Sequence, residues 1–169
     1  HHRPQDSDHY LLARQWPPTA CVRSKKCTTT SSKLDRWTIH GLWPNYSNNT
    51  YKEFCRHDPF DASALSSIKT KLQDSWPDMF AADGESFWRH EWDKHGTCMD
   101  MSQFDYFDRT LALDARYPLT EWLRDGKVAP GKDSEYTVED VLQALSPHIP
   151  RASVAVDCFQ SKKVVYLSE

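Results

Sequence analysis

Residues 8–16, DHYLLARQW, form a short run dominated by apolar and aromatic side chains and stopped by Pro17-Pro18. That pattern predicts a first strand. A second run, RWTIHGLW (36–43), mixes β-branched, aromatic and polar residues and predicts a buried strand closed by Pro44. The period then lengthens. In DASALSSIKTKLQDSW (61–76), Leu65, Ile68 and Leu72 recur at helical spacing behind Asp61, a natural N-cap. FWRHEWDKHGTC (87–98) predicts a helix capped by Ser86 and ended by Gly96. SQFDYFDRTLALDARY (102–117) predicts a third helix, and TVEDVLQAL (137–145) a fourth, where Thr137 and Asp140 fit a capping box. SVAVDCF and KKVVYL predict a closing hairpin. Strands at both ends with helices between them imply an α+β fold.

The helix at 87–96 is unusual in its charges. At ~100° per residue, with His90 at zero, Lys94 falls near ~40°, Phe87 near ~60°, Glu91 near ~100° and His95 near ~140°. One face therefore carries two imidazoles, an amine and a carboxylate beside Phe87, Trp88 and Trp92. Arg89 and Asp93 fall on the opposite side, four residues apart, as a surface ion pair would. The first face is costly to bury unless its groups pair with one another or with a ligand. Zinc is a poor candidate for that ligand. A zinc-protease helix places histidines at i and i+4, whereas His90 and His95 are i and i+5, ~140° apart, with Lys94 between them. An anion suits the set better: these side chains can bind a phosphate and move protons at its rim. In-line displacement at phosphorus needs a second proton-transfer group opposite the first. His40, next to Gly41 in WTIHGLWP, is the candidate; in an apolar strand it could equally be a satisfied core histidine.

The chain has 169 residues, so one domain spanning 1–169 is the expectation. Its net charge of −3 argues against a broad duplex-binding surface without excluding a small cationic pocket. Asn45-Tyr46-Ser47 and Asn48-Asn49-Thr50 are acceptor sequons for N-glycosylation. Two of them in a chain with five cysteines, none in a CxxC pair, point to the secretory pathway and to disulfides. An odd count leaves one cysteine over. The final VVYLSE reads as a strand stopped in mid-pattern. The expectation is that the native protein continues beyond residue 169 and pairs Cys158 there.

WTIHGLWP (37–44) and FWRHEWDKHGTC (87–98) resemble the two active-site segments of the ribonuclease T2 family, in the same order, and RQWPPTAC (14–21) resembles its first strand and turn. The resemblance implies an α+β fold with a central antiparallel sheet and helices packed around it. It implies a secreted or endolysosomal (vacuolar) monomer that cleaves single-stranded RNA without metal or cofactor and does not cut DNA. It implies that His95 is the general base, His40 the general acid, and Glu91 with Lys94 the stabilisers of the phosphorane-like transition state. His90 resembles the phosphate-binding histidine. Trp43, Asn45 and Tyr51 match positions that hold one base in relatives, and Gln15 and Phe87 match positions near the next. Trp43 and Phe87 also suit ordinary core packing. Some relatives carry Asp at position 45, so base preference is open here. Cys55 is expected to pair with Cys98, and Cys21 with Cys27. A glycan on Asn45 would crowd the site, which favours Asn48. The runner-up is a secreted binding protein that keeps the groove without turnover.

Overall fold

A computed structural model describes residues 8–24, 27, 35–81, 83–129, 135–161 and 164–167. Strand β1 (His9–Gln15) pairs antiparallel with β2 (Thr38–Asn45), and β3 (Cys158–Ser161) with β4 (Val164–Leu167). The two ribbons are separate, so the sheet component is small and the architecture is helix-rich α+β. The closing hairpin is as expected, although residues 154–157 of its first arm are irregular. β2 does not stop before Pro44. It runs on through Asn45, because a two-stranded ribbon leaves the second edge unpaired, where proline's missing N–H is tolerated.

Pro17-Pro18 starts an element as well as stopping one. Helix α1 (Pro17–Ser24) has Pro17 as its first residue, a position where the missing N–H is not needed. The 61–76 segment divides into a 3-10 turn, Ala62–Ile68, and helix α2 (Lys69–Ser75). Asp61 caps it as expected, accepting the Ser63 N–H, and Leu65, Ile68 and Leu72 are all buried. Helix α3 (Glu85–Lys94) begins two residues earlier than the Ser86 cap predicts. Gly84, at φ 75°, is the cap, and the Asp83 carboxylate accepts the Glu85 N–H (3.1 Å). α3 also ends before Gly96, which opens a 3-10 turn to Cys98. Helices α4 (Gln103–Arg116), α5 (Leu119–Asp125) and α6 (Val138–Leu145) follow. The Thr137–Asp140 capping box is present.

The main core joins Ile39 and Leu42 of β2 to Leu65, Ile68, Leu72, Trp76, Trp88, Trp92, Tyr106 and Phe107. Two of its polar atoms are matched: Trp88 Nε1 donates to the Trp76 carbonyl (2.8 Å), and the Tyr106 hydroxyl to the Leu42 carbonyl (3.1 Å), while Trp76 Nε1 is buried with no hydrogen-bond partner. Trp88 and Trp92 on α3 thus face the core, and that fixes which of its faces remains for chemistry. Arg89 lies over the Phe60 ring (5.2 Å), rather than pairing with Asp93. A second cluster, Leu123, Val128, Val141, Ala144 and Leu145, holds α5 against α6. Disulfides join Cys21 to Cys27 and Cys55 to Cys98, as expected, and Cys158 is a free thiol.

Candidate active site

His40 owes its position to a defect in the ribbon. Ala13 pairs with Gly41 and Arg14 with Ile39, so His40 is the extra residue of a β-bulge. Strict alternation would send Ile39 and Leu42 to opposite faces. The bulge lets both enter the core and turns His40, with Trp43, to the other side.

There the two elements meet at one carboxylate. Glu91, on α3, is 1% exposed. Its Oε2 accepts the Trp43 indole N–H (2.9 Å), its Oε1 lies 3.6 Å from His40 Nε2, and His95 Nε2 stands 4.0 Å from Oε2. Aromatic rings complete the walls. Trp43 stacks on His95 (5.1 Å between centroids) and meets His40 edge-on (5.0 Å), and Phe87 flanks His40 (5.5 Å).

His95 is 5% exposed, and its Nδ1 has no hydrogen-bond partner. Burial disfavours its charged form, and the positive charges of Lys94, His40 and His90 add to that, so its pKa is pushed down to about 3. His95 is therefore a neutral imidazole through the mildly acidic range, the form a proton acceptor must have.

Of the residues singled out in the sequence, His40, Trp43, Phe87, Glu91 and His95 meet directly. Lys94 and His90 stand close enough for their charges to act on His95. Lys94 Nζ is held 3.1 Å from Glu53 Oε1. Asn45 is buried, and its Oδ1 accepts the Tyr46 N–H (2.9 Å). Tyr51 is exposed and lines a polar cleft with Asp8, Tyr46, Asn48 and Lys52. Gln15 faces Thr38 at the end of the ribbon, away from the carboxylate's contacts.

Two residues were not given these roles by the sequence. Glu53 had one available signal: it lies two positions before Cys55, whose disulfide partner Cys98 is four after Lys94. Gly41 has a sharper role than leaving space, since a Cβ there would overlap Glu91 Oε2 and Trp43 Nε1. Gly41→Ala should therefore displace the carboxylate and cut turnover by about 10²-fold. Steady-state kinetics beside a thermal melt would check it; near-native kcat would show that the carboxylate's placement is not critical.

Over residues 7–169 the chain matches the Ribonuclease T2 family. It is 36% identical over 152 residues to Ribonuclease 1 of Arabidopsis thaliana, which covers 86% of this chain and 66% of that protein, so the chain spans just under two thirds of that relative's length. It is 31% identical over 164 residues to Ribonuclease MC of Momordica charantia, covering 95% of this chain and 85% of that one. Among solved structures, RNase NT in complex with 5′-AMP superposes with a TM-score of 0.83 at 28% identity, over 97% of this chain and 83% of that one.

Proposed function

The chain belongs to the ribonuclease T2 family, and from that premise we propose that it is an endoribonuclease that cleaves single-stranded RNA by metal-free transphosphorylation. The observation that carries the reading is the convergence of two imidazoles on one buried carboxylate, with one of them, His95, held neutral.

His95 takes the proton from the ribose 2′-OH. The freed oxygen attacks the adjacent phosphorus in line, and His40 gives its proton to the departing 5′-oxygen. The P–O2′ bond forms as the P–O5′ bond breaks, which leaves a 2′,3′-cyclic phosphate. Water then opens that ring to a 3′-phosphate, with the two histidines exchanging roles. Glu91, between the two imidazoles, and Lys94 together stabilise the phosphorane-like transition state as negative charge builds on phosphorus. His90 holds the phosphate in the ground state. Trp43 and Phe87 offer ring faces for bases, Tyr51 lines the neighbouring cleft, and Asn45 would act from the end of β2. Stacking of this kind is worth about 1–3 kcal/mol per base and tolerates any base.

The same reading makes the chain a secreted or endolysosomal monomer with one catalytic domain. Buried Asn45 is a poor glycan acceptor, and exposed Asn48 a good one. Incubation with single-stranded RNA in EDTA, from acid to neutral pH, tests the activity. Cleavage is expected; none at any pH would favour a binding protein.

Kinetics on a dinucleotide separate two roles. Lys94→Ala should lower kcat and leave KM nearly unchanged, because its charge matters most as negative charge accumulates. His90→Ala should instead raise KM, as expected of a ground-state contact. The reverse pattern would exchange the two assignments.

A further inference from the structure

We infer that Glu53 is a positioning residue for this reaction, acting through Lys94; the inference rests on the ribonuclease reading above. Lys94 is the last residue of α3, where a free lysine stem would let its ammonium wander through solvent. Its Nζ is instead 3.1 Å from Glu53 Oε1, with both side chains about one-third exposed or less (29% and 35%).

Glu53 is delivered by a strap bound tightly to the end of α3. The Phe54 N–H donates to the Lys94 carbonyl (3.0 Å), and the Cys55 N–H to Thr97 Oγ1 (3.2 Å). Cys55 is bonded to Cys98, Arg56 Nη2 donates to the Met101 carbonyl (3.2 Å), and Trp92 Nε1 donates to the Asp58 carbonyl (2.8 Å). Phe54 sits at φ 52°, a left-handed conformation that bulky side chains seldom adopt. Phe54 is 60% exposed, so packing of its side chain does not account for the turn. The backbone bonds on either side do, and their result is a carboxylate beside the Lys94 ammonium. The strap is fixed without the ion pair. A pair about one-third exposed adds little to stability, so what Glu53 contributes is the place of the charge.

Glu53→Ala should lower kcat on a dinucleotide by about 10-fold, because misplacing a charge by ~1 Å at a reacting centre is costly. KM should stay within about twofold. Glu53→Gln, which keeps an oxygen acceptor but loses the charge, should fall between. In a Lys94→Ala background, Glu53→Ala should have no further effect on kcat, since the group it positions is gone. An equal loss in both backgrounds would overturn the inference and assign Glu53 to the fold alone. So would a lower KM at unchanged kcat, which would make Glu53 a competitor of the substrate phosphate for Lys94. The two levels of the reading fail separately. If Lys94→Ala loses kcat and Glu53→Ala does not, only the role of Glu53 falls. If Lys94→Ala itself keeps native kcat, the role of Lys94 falls and that of Glu53 with it.

Discussion

His95→Ala and His40→Ala should each remove nearly all turnover, by about 10²–10⁴-fold, in a protein that still melts cooperatively. The two losses have different causes. His95 is a neutral, buried imidazole lacking a partner at Nδ1, stacked on Trp43, and nothing else among the described residues of the site is equally placed to take a proton. His40 comes from the other element, on a bulge, across Glu91 from His95. The pH dependence carries a sign that can be checked. Because the pKa of His95 in the folded protein is lowered to about 3, the acid limb of kcat/KM should lie far below the pH 6.5 typical of a free imidazole. Stability follows from the same shift. The unfolded chain binds the His95 proton below about pH 6.5 and the folded chain does so only near 3, so the His95 contribution is present above 6.5 and is lost as pH falls towards 3. His95→Gln should flatten that part of the acid-side decline in melting temperature. If His95→Ala keeps near-native rate at its own optimum, the base is another group. An acid limb near pH 6.5 would mean that burial does not depress His95 in solution.

What could be read from the chain alone divides along physical lines. Helices with strong period and side-chain caps were legible, because Asp61, Ser102 and Thr137 make bonds that depend only on near neighbours. The short helices α1 and α5 were not. Each starts at or after a proline, and proline stops the preceding element and presets the next with the same residue. The face of α3 was legible as a wheel, since Trp88 and Trp92 must be buried and the charged residues then have one side left. Its cap was not, because Gly84 acts through a left-handed φ instead of a side-chain bond. The bulge at His40 was invisible in principle, as a bulge is a mismatch between two strands and β2 alone does not contain it. Glu53 was missed for a related reason: its partner is 41 positions along the chain, brought near by the disulfide and the Phe54–Lys94 bond.

An RNA carrying a single 2′-deoxy sugar should be cut at every susceptible linkage except the one on the 3′ side of that sugar. The residues shown to meet at Glu91 are His40, Trp43 and His95, which move protons or stack and do not attack phosphorus, so the proposed nucleophile is the substrate's own. If it is the substrate's own 2′-oxygen, removing that one atom leaves His95 without a proton to take, and no transition state forms for Lys94 to stabilise. Binding should survive, because the phosphate and the base faces are unchanged, so the modified RNA should also inhibit cutting of a normal one. Fragments from the other linkages should first carry 2′,3′-cyclic phosphate ends, seen by mass as one water less than the linear phosphate. A nuclease that activates water would instead cut at the deoxy position as readily as elsewhere and give linear phosphates from the start. Cleavage at the modified linkage, or linear ends with no cyclic precursor at early times, would rule out transphosphorylation here and make His95 a base acting on water.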